Sequence, residues 1–211
     1  VEDVPPYEVR DSEHGLGSVL IPTSPWNAEI EARLALGDID GLRLSYSAGF
    51  RGANTTFLLK FSELRSIEIY SQEILDLAPL KGLPRLRLLG LQTGKTSAFQ
   101  PHWFPELRIL LCQWRKGMDG LLQIPSIEYL NVINWPYADL TALSGLRSLR
   151  RLAIASRRLT TLLGIDAHEH LEQIDLYQCP QLESVGPLEQ CAKLTKVEIE
   201  GCRHVPNRRI G

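Results

Sequence analysis

The sequence predicts an α/β solenoid in which about eight copies of one short unit each add a strand to a single parallel sheet. Three observations carry that prediction. Seven segments hold apolar residues at offsets 0, 3 and 5, the distance between them is nearly constant, and the stretches between them carry apolar residues three apart.

The segments read LRSIEI from Leu64, LRLLGL from Leu86, LRILLC from Leu107, IEYLNV from Ile127, LRRLAI from Leu149, LEQIDL from Leu171 and LTKVEI from Leu194. Successive spacings are 22, 21, 20, 22, 22 and 23 residues, and a weaker copy, IDGLRL, begins at Ile39. Offsets 3 and 5 fall on one face of an extended strand, and offsets 2, 4 and 6 on the other. The returns carry Leu77, Leu80 and Leu83, then Leu140, Leu143 and Leu146, then Leu162, Val185 and Leu188. A spacing of three suits a 3₁₀ turn, and so short a repeat leaves no room for a full helix. One unit cannot bury its own leucines; stacked units can.

The segment LEQIDLYQCPQL, Leu171 to Leu182, resembles the leucine-rich repeat, L-x-x-L-x-L-x-x-N/C-x-L, in its short bacterial form of about 22 residues. The resemblance covers roughly residues 39 to 205. It implies a right-handed β/3₁₀ superhelix with the sheet on the concave face. It also implies an inward Asn or Cys at offset 8, a place filled by Cys179 and Cys202. Gln72, Gly94, Arg115, Trp135 and Arg157 depart from that pattern, so a regular ladder is not expected there.

Residues 1–38 do not repeat and are read as an N-terminal cap to a solenoid over 39–211. YEVR and GSVLIP suggest two strands around the turn DSEHGLG. NAEIEARLALG suggests a helix with Asn27 as N-cap, apolar Ile30, Leu34 and Leu36, and Gly37 as stop. Only RHVPNRRIG follows the last repeat. Either it folds back, or it leaves a sheet edge for weak self-association of an otherwise monomeric chain.

With 23 basic and 25 acidic residues and a net charge of −2, the chain lacks the basic excess of a phosphate-neutralising protein, so no nucleic-acid partner is expected. No apolar run is long enough to cross a bilayer, and no membrane partner is expected. Four cysteines are too few for a disulfide scaffold. Their placement points to buried free thiols and a reducing, cytoplasmic setting. The chain begins at Val1, so a removed leader, and with it secretion, stays open; Asn54-Thr55-Thr56 would then be a glycosylation triplet.

No catalytic string is present, and neither an enzyme activity nor a cofactor is expected. His168 and His170 flank Glu169 and could supply two metal ligands, but no third lies nearby, and a solvent-facing position on the convex side is the expectation. Binding is the better-supported chemistry. The outward set, taken as offsets 2, 4, 6 and 7, holds Tyr70, Leu88, Ile109, Leu111, Trp114, Tyr129 and Ile133, then Arg151, Asp175, Tyr177, Lys196, Glu198 and Glu200. Solvated strand positions are normally polar, so this group is the expected contact surface for a protein partner. Two alternatives remain at this level: the N-terminal segment or a loop covers the patch, or a one-residue register slip turns it inward. Trp103 and Trp135 are expected to pack beneath loops. The function expected is a non-catalytic protein-interaction module of adaptor, inhibitor or immunity type. The alternatives are a metal-dependent binder or enzyme using His168 and His170, and a self-assembling structural protein.

Overall fold

The computed structural model describes residues 4–94 and 99–210, and the chain divides into two compact units, Val1–Leu107 and Arg108–Gly211.

The first unit opens with a hairpin. Strands β1 (Tyr7–Asp11) and β2 (Ser18–Pro22) pair antiparallel, from Tyr7 opposite Pro22 to Asp11 opposite Ser18. Helix α1 (Ala28–Leu34) follows, and Asn27 caps it, its side-chain oxygen accepting the Glu29 and Ile30 amides. Ile30 and Leu34 are buried, but Leu36, expected on the same apolar face, is 72 % exposed. At about 100° per residue Leu36 lies about 200° from Leu34, on the opposite side from the buried stripe, and the helix has ended at Leu34. Strands β3 (Gly41–Ser45), β4 (Ser66–Ser71) and β5 (Leu88–Thr93) then add in parallel, with β2 pairing to β3.

The second unit runs β6 (Ile109–Gln113), β7 (Tyr129–Ile133), β8 (Arg151–Ala155), β9 (Gln173–Tyr177) and β10 (Lys196–Glu200), all parallel to their neighbours in chain order. The tail folds back: β11 (Arg208–Ile210) pairs antiparallel with β10 and takes the edge that the sequence reading offered for self-association.

Each of the eight copies thus supplies one strand; in the last, Ile199 is buried and Val197 half-buried, and in the other seven the offset-3 and offset-5 residues are both buried: Leu42 and Leu44, Ile67 and Ile69, Leu89 and Leu91 in the first unit. In the second they are Leu110 and Cys112, Leu130 and Val132, Leu152 and Ile154, and Ile174 and Leu176. The returns are 3₁₀ turns such as Ala78–Gly82 and Thr141–Gly145. Their triads close on themselves, the Leu143 amide donating to Leu140 O at 2.9 Å and the Leu146 amide to Leu143 O at 2.8 Å. Val185 and Leu188, in the last return, are only half-buried. Each fully buried leucine contributes roughly 1.5–3 kcal/mol before entropy.

The corners after β4 to β10 follow a simple rule, which Tyr46, 47 % exposed at offset 7 after β3, does not share. In Ser71, Thr93, Trp114 and Ser156, the strand's alternation continues to offset 7, which therefore points inward and is buried. In three copies a left-handed residue occupies offset 7 instead: Asn134 (φ 62°), Gln178 (φ 51°) and Gly201 (φ 68°). That reversal passes the inward place to offset 8, filled by Trp135, Cys179 and Cys202. Gln72, Gly94, Arg115 and Arg157 are therefore not defective ladder positions, because their copies turn inward one residue earlier. Ser156 Oγ satisfies three backbone groups at its corner, donating to Trp135 O at 2.8 Å and accepting the Arg158 and Leu159 amides. The Cys179 thiol donates to Tyr177 O at 3.4 Å.

Candidate functional site: the open face of the sheet

The face opposite the core differs between the two units. In the first it is a charged network. Arg43 on β3 and Glu68 on β4 lie opposite each other in the register, and the Arg43 Nε donates to Glu68 Oε1 at 3.0 Å. The Tyr70 hydroxyl donates to the other oxygen of Glu68 at 2.6 Å, and Glu13 lies 3.5 Å from the Arg43 guanidinium. Glu68 is buried. Burial, reinforced by the Glu68 charge, holds the Tyr70 hydroxyl well above the ordinary tyrosine pKa. Gly90 makes the arrangement possible, since a Cβ there would stand 2.9 Å from Glu68 Cγ and 3.0 Å from the Tyr70 hydroxyl. Of the two predicted contact residues here, Tyr70 is half-buried with its hydroxyl committed to Glu68, and Leu88 is 1 % exposed. Neither offers much surface. Arg43 and Glu68 were absent from the sequence reading, although strand parity places both on this face.

In the second unit the register lays out three rows across β6–β10. They are Ile109, Tyr129, Arg151, Gln173, Lys196; Leu111, Asn131, Ala153, Asp175, Glu198; and Gln113, Ile133, Ala155, Tyr177, Glu200. Ile109, Leu111 and Tyr129 are half-buried, and Ile133 is 40 % exposed. Beside them a polar ladder fixes the face. The Arg151 guanidinium lies 4.4 Å from the Tyr129 ring centroid and 3.2 Å from Asp175, while the Gln173 amide donates to both Asp175 oxygens at 3.0 Å. Burial, followed by its hydrogen bond to Glu198, pushes the Tyr177 hydroxyl up to about 12. The arrangement is an apolar patch on β6 and β7 bordered by fixed polar groups on β8 to β10.

Trp114 does not belong to it. At offset 7 it turns inward, is 7 % exposed, and packs edge-on against Trp135 at 5.4 Å and Tyr137 at 6.2 Å. Treating offset 7 as outward was the error; strand alternation carries it to the core face. Trp135 is buried as expected, its indole N–H donating to Asp139 O at 2.9 Å, and Trp103 is half-buried.

The two histidines separate. His170 is exposed, its Nδ1 2.9 Å from Lys193 Nζ, whereas His168 is buried instead of solvent-facing. Among the described residues no group of three or more His, Cys, Asp or Glu side chains is placed to hold a metal ion. All four cysteines are free, and only Cys191 is not fully buried. Burial pushes the Cys112 and Cys179 thiols up to about 12. Ellman's reagent at pH 8 is therefore expected to titrate at most one thiol rapidly in the folded chain and all four after denaturation. Rapid reaction of two or more would contradict the burial described. Among the described residues no helix is long and apolar enough to cross a membrane.

No protein-family model matches this chain, and no curated protein matches it. Solved structures do. One is an internalin (inlF) from Listeria monocytogenes, 15 % identical, with a TM-score of 0.50 over 87 % of this chain and 61 % of that one. Another is internalin C2 from the same organism, 22 % identical, with a TM-score of 0.45 over 77 % of this chain and 62 % of that one. The chain spans about three fifths of the length of each. At such identities the likeness speaks to fold alone, and with the repeat register above the fold is a leucine-rich-repeat solenoid with short 3₁₀ returns.

Proposed function

We propose that this chain is a non-catalytic protein-binding module, and that residues 109–177 carry its contact surface on the open face of β6 to β9. The observation that carries the reading is the apolar patch of Ile109, Leu111, Tyr129 and Ile133 on strand positions that face away from the core. Aliphatic and aromatic anchors bordered by polar groups are the composition of a binding hot spot. The Tyr129–Arg151–Asp175–Gln173 ladder supports it by holding side chains in place before binding, which lowers the ordering cost of association. The work of such a surface is recognition, as in an adaptor or inhibitor, with no bond made or broken. The buried free thiols favour a reducing compartment such as the cytoplasm.

The test is site-specific photocrosslinking in cells of the source organism. A photoreactive phenylalanine at position 111 or 133 should give discrete protein adducts, and one at Ser144 or Leu163, both exposed in the returns, should not. Adducts of equal yield from both faces, or from the returns alone, would overturn the assignment.

A further inference from the structure

The residue that follows each 3₁₀ turn occupies an equivalent place in every return. In the first unit these residues are Phe61, Leu83 and Phe104, and in the second Ile124, Leu146, His168 and Cys191. Four of the other six, Leu83, Phe104, Ile124 and Leu146, are buried core, while Phe61 and Cys191 are half-buried. His168 is buried with them at 3 % exposure, and neither ring nitrogen makes a hydrogen bond of normal geometry. Its backbone is fully engaged, the amide donating to Ile165 O at 3.1 Å and the carbonyl accepting the Leu171 amide at 3.0 Å. A neutral imidazole without a well-formed hydrogen bond is tolerated in an apolar column at a cost; an imidazolium there has no buried carboxylate to pair with.

The Leu146 backbone is the one polar group close to the ring, and the charged side chains around it all lie at the surface. On its own turn and just beyond stand Asp166, Glu169 and His170, all exposed. The preceding return, Leu140–Ser148, carries only Arg147, which is exposed. The following return carries Glu189 and Lys193, both exposed, and the half-buried Cys191, and Lys193 is already engaged with His170. The core positions of β8 and β9 are Leu152, Ile154, Ile174 and Leu176.

We infer that His168 is an acid-sensitive element of the second unit: its protonation loosens the returns around it and, with them, strands β9 and β10. Burial holds the imidazole below the ordinary histidine pKa, opposed in part by the nearby Leu146 backbone and by Asp166. The sign follows. The ring is neutral in the folded chain, while the unfolded chain takes up a proton near pH 6.5, so stability is complete above that value. It declines as pH falls through it toward the lower folded value.

The experiment compares wild type with His168→Leu, the residue that the equivalent place holds in two other returns. From pH 7.5 to 5.0, amide exchange in residues 165–199, corrected for intrinsic rate, should accelerate several-fold in wild type as the imidazole of the opened state takes up its proton. It should stay flat in His168→Leu. Equal acceleration in both chains overturns the inference. Should the variant fail to fold, an NMR titration of wild type decides instead. The inference requires the His168 ring of the folded chain to titrate below pH 6.5. Ordinary titration near pH 6.5 with the β9 and β10 amide signals intact contradicts it.

Discussion

Replacing Trp135 with alanine is expected to remove about 3–5 kcal/mol of stability, the range for deleting a buried tryptophan. Trp135 is the largest fully buried side chain and fills the corner after β7. It is brought there by the left-handed Asn134, and it packs against Trp114 and Tyr137 at 5.4 and 5.1 Å. Truncation would also free the Asp139 carbonyl that accepts its indole N–H. Urea denaturation followed by tryptophan fluorescence and circular dichroism measures the loss. A change under about 1 kcal/mol would mean that the corner collapses around the cavity.

The first unit has a comparable weak point at Gly49, in the turn after β3. Its φ is +120°, outside the conformations that side chains adopt readily, and a Cβ there would lie 2.2 Å from Thr23 O. Gly49→Ala must therefore both strain the backbone and displace the chain leaving β2. Strain alone is of order 1–3 kcal/mol, and the overlap adds to it. A midpoint shift in urea equivalent to about 3 kcal/mol or more is expected, with Gly15→Ala as a control. Gly15 also has positive φ but meets nothing within 4 Å, so its loss should be confined to the strain. Equal effects at the two glycines would show that the Thr23 contact relaxes without cost.

Much of this architecture is legible in the sequence because strand alternation and the 22-residue repeat are local and redundant. Leu130, Leu152 and Ile174 are placed correctly by the same rule, and errors in one copy are corrected by the next. What is not legible lies where a single backbone torsion decides. Asn134 and Gln178 adopt positive φ without being glycine, and this moves the inward place from offset 7 to 8. The charge network of the first unit depends on Gly90 making room for Glu68 and Tyr70, a three-body fact that no spacing encodes. His168 reads as a surface residue from its type, and only its place after the 3₁₀ turn reveals it as core. For the contact surface, parity identifies which side chains face outward but says nothing of how far neighbours cover them. Leu88 and Ile133 share a parity and differ between 1 % and 40 % exposure.

The open face of β6 to β9 is the proposed protein-binding surface. Its most direct test is the affinity of Ile133→Asp for the partner identified by crosslinking, measured by titration calorimetry beside wild type. Ile133 is 40 % exposed, so the variant should melt within a few degrees of wild type. A charged group at the most exposed residue of the apolar patch should weaken binding by roughly 30-fold or more, the loss of about 2 kcal/mol that marks a hot spot. Unchanged affinity in a folded variant would contradict the claim and move the binding surface away from this face.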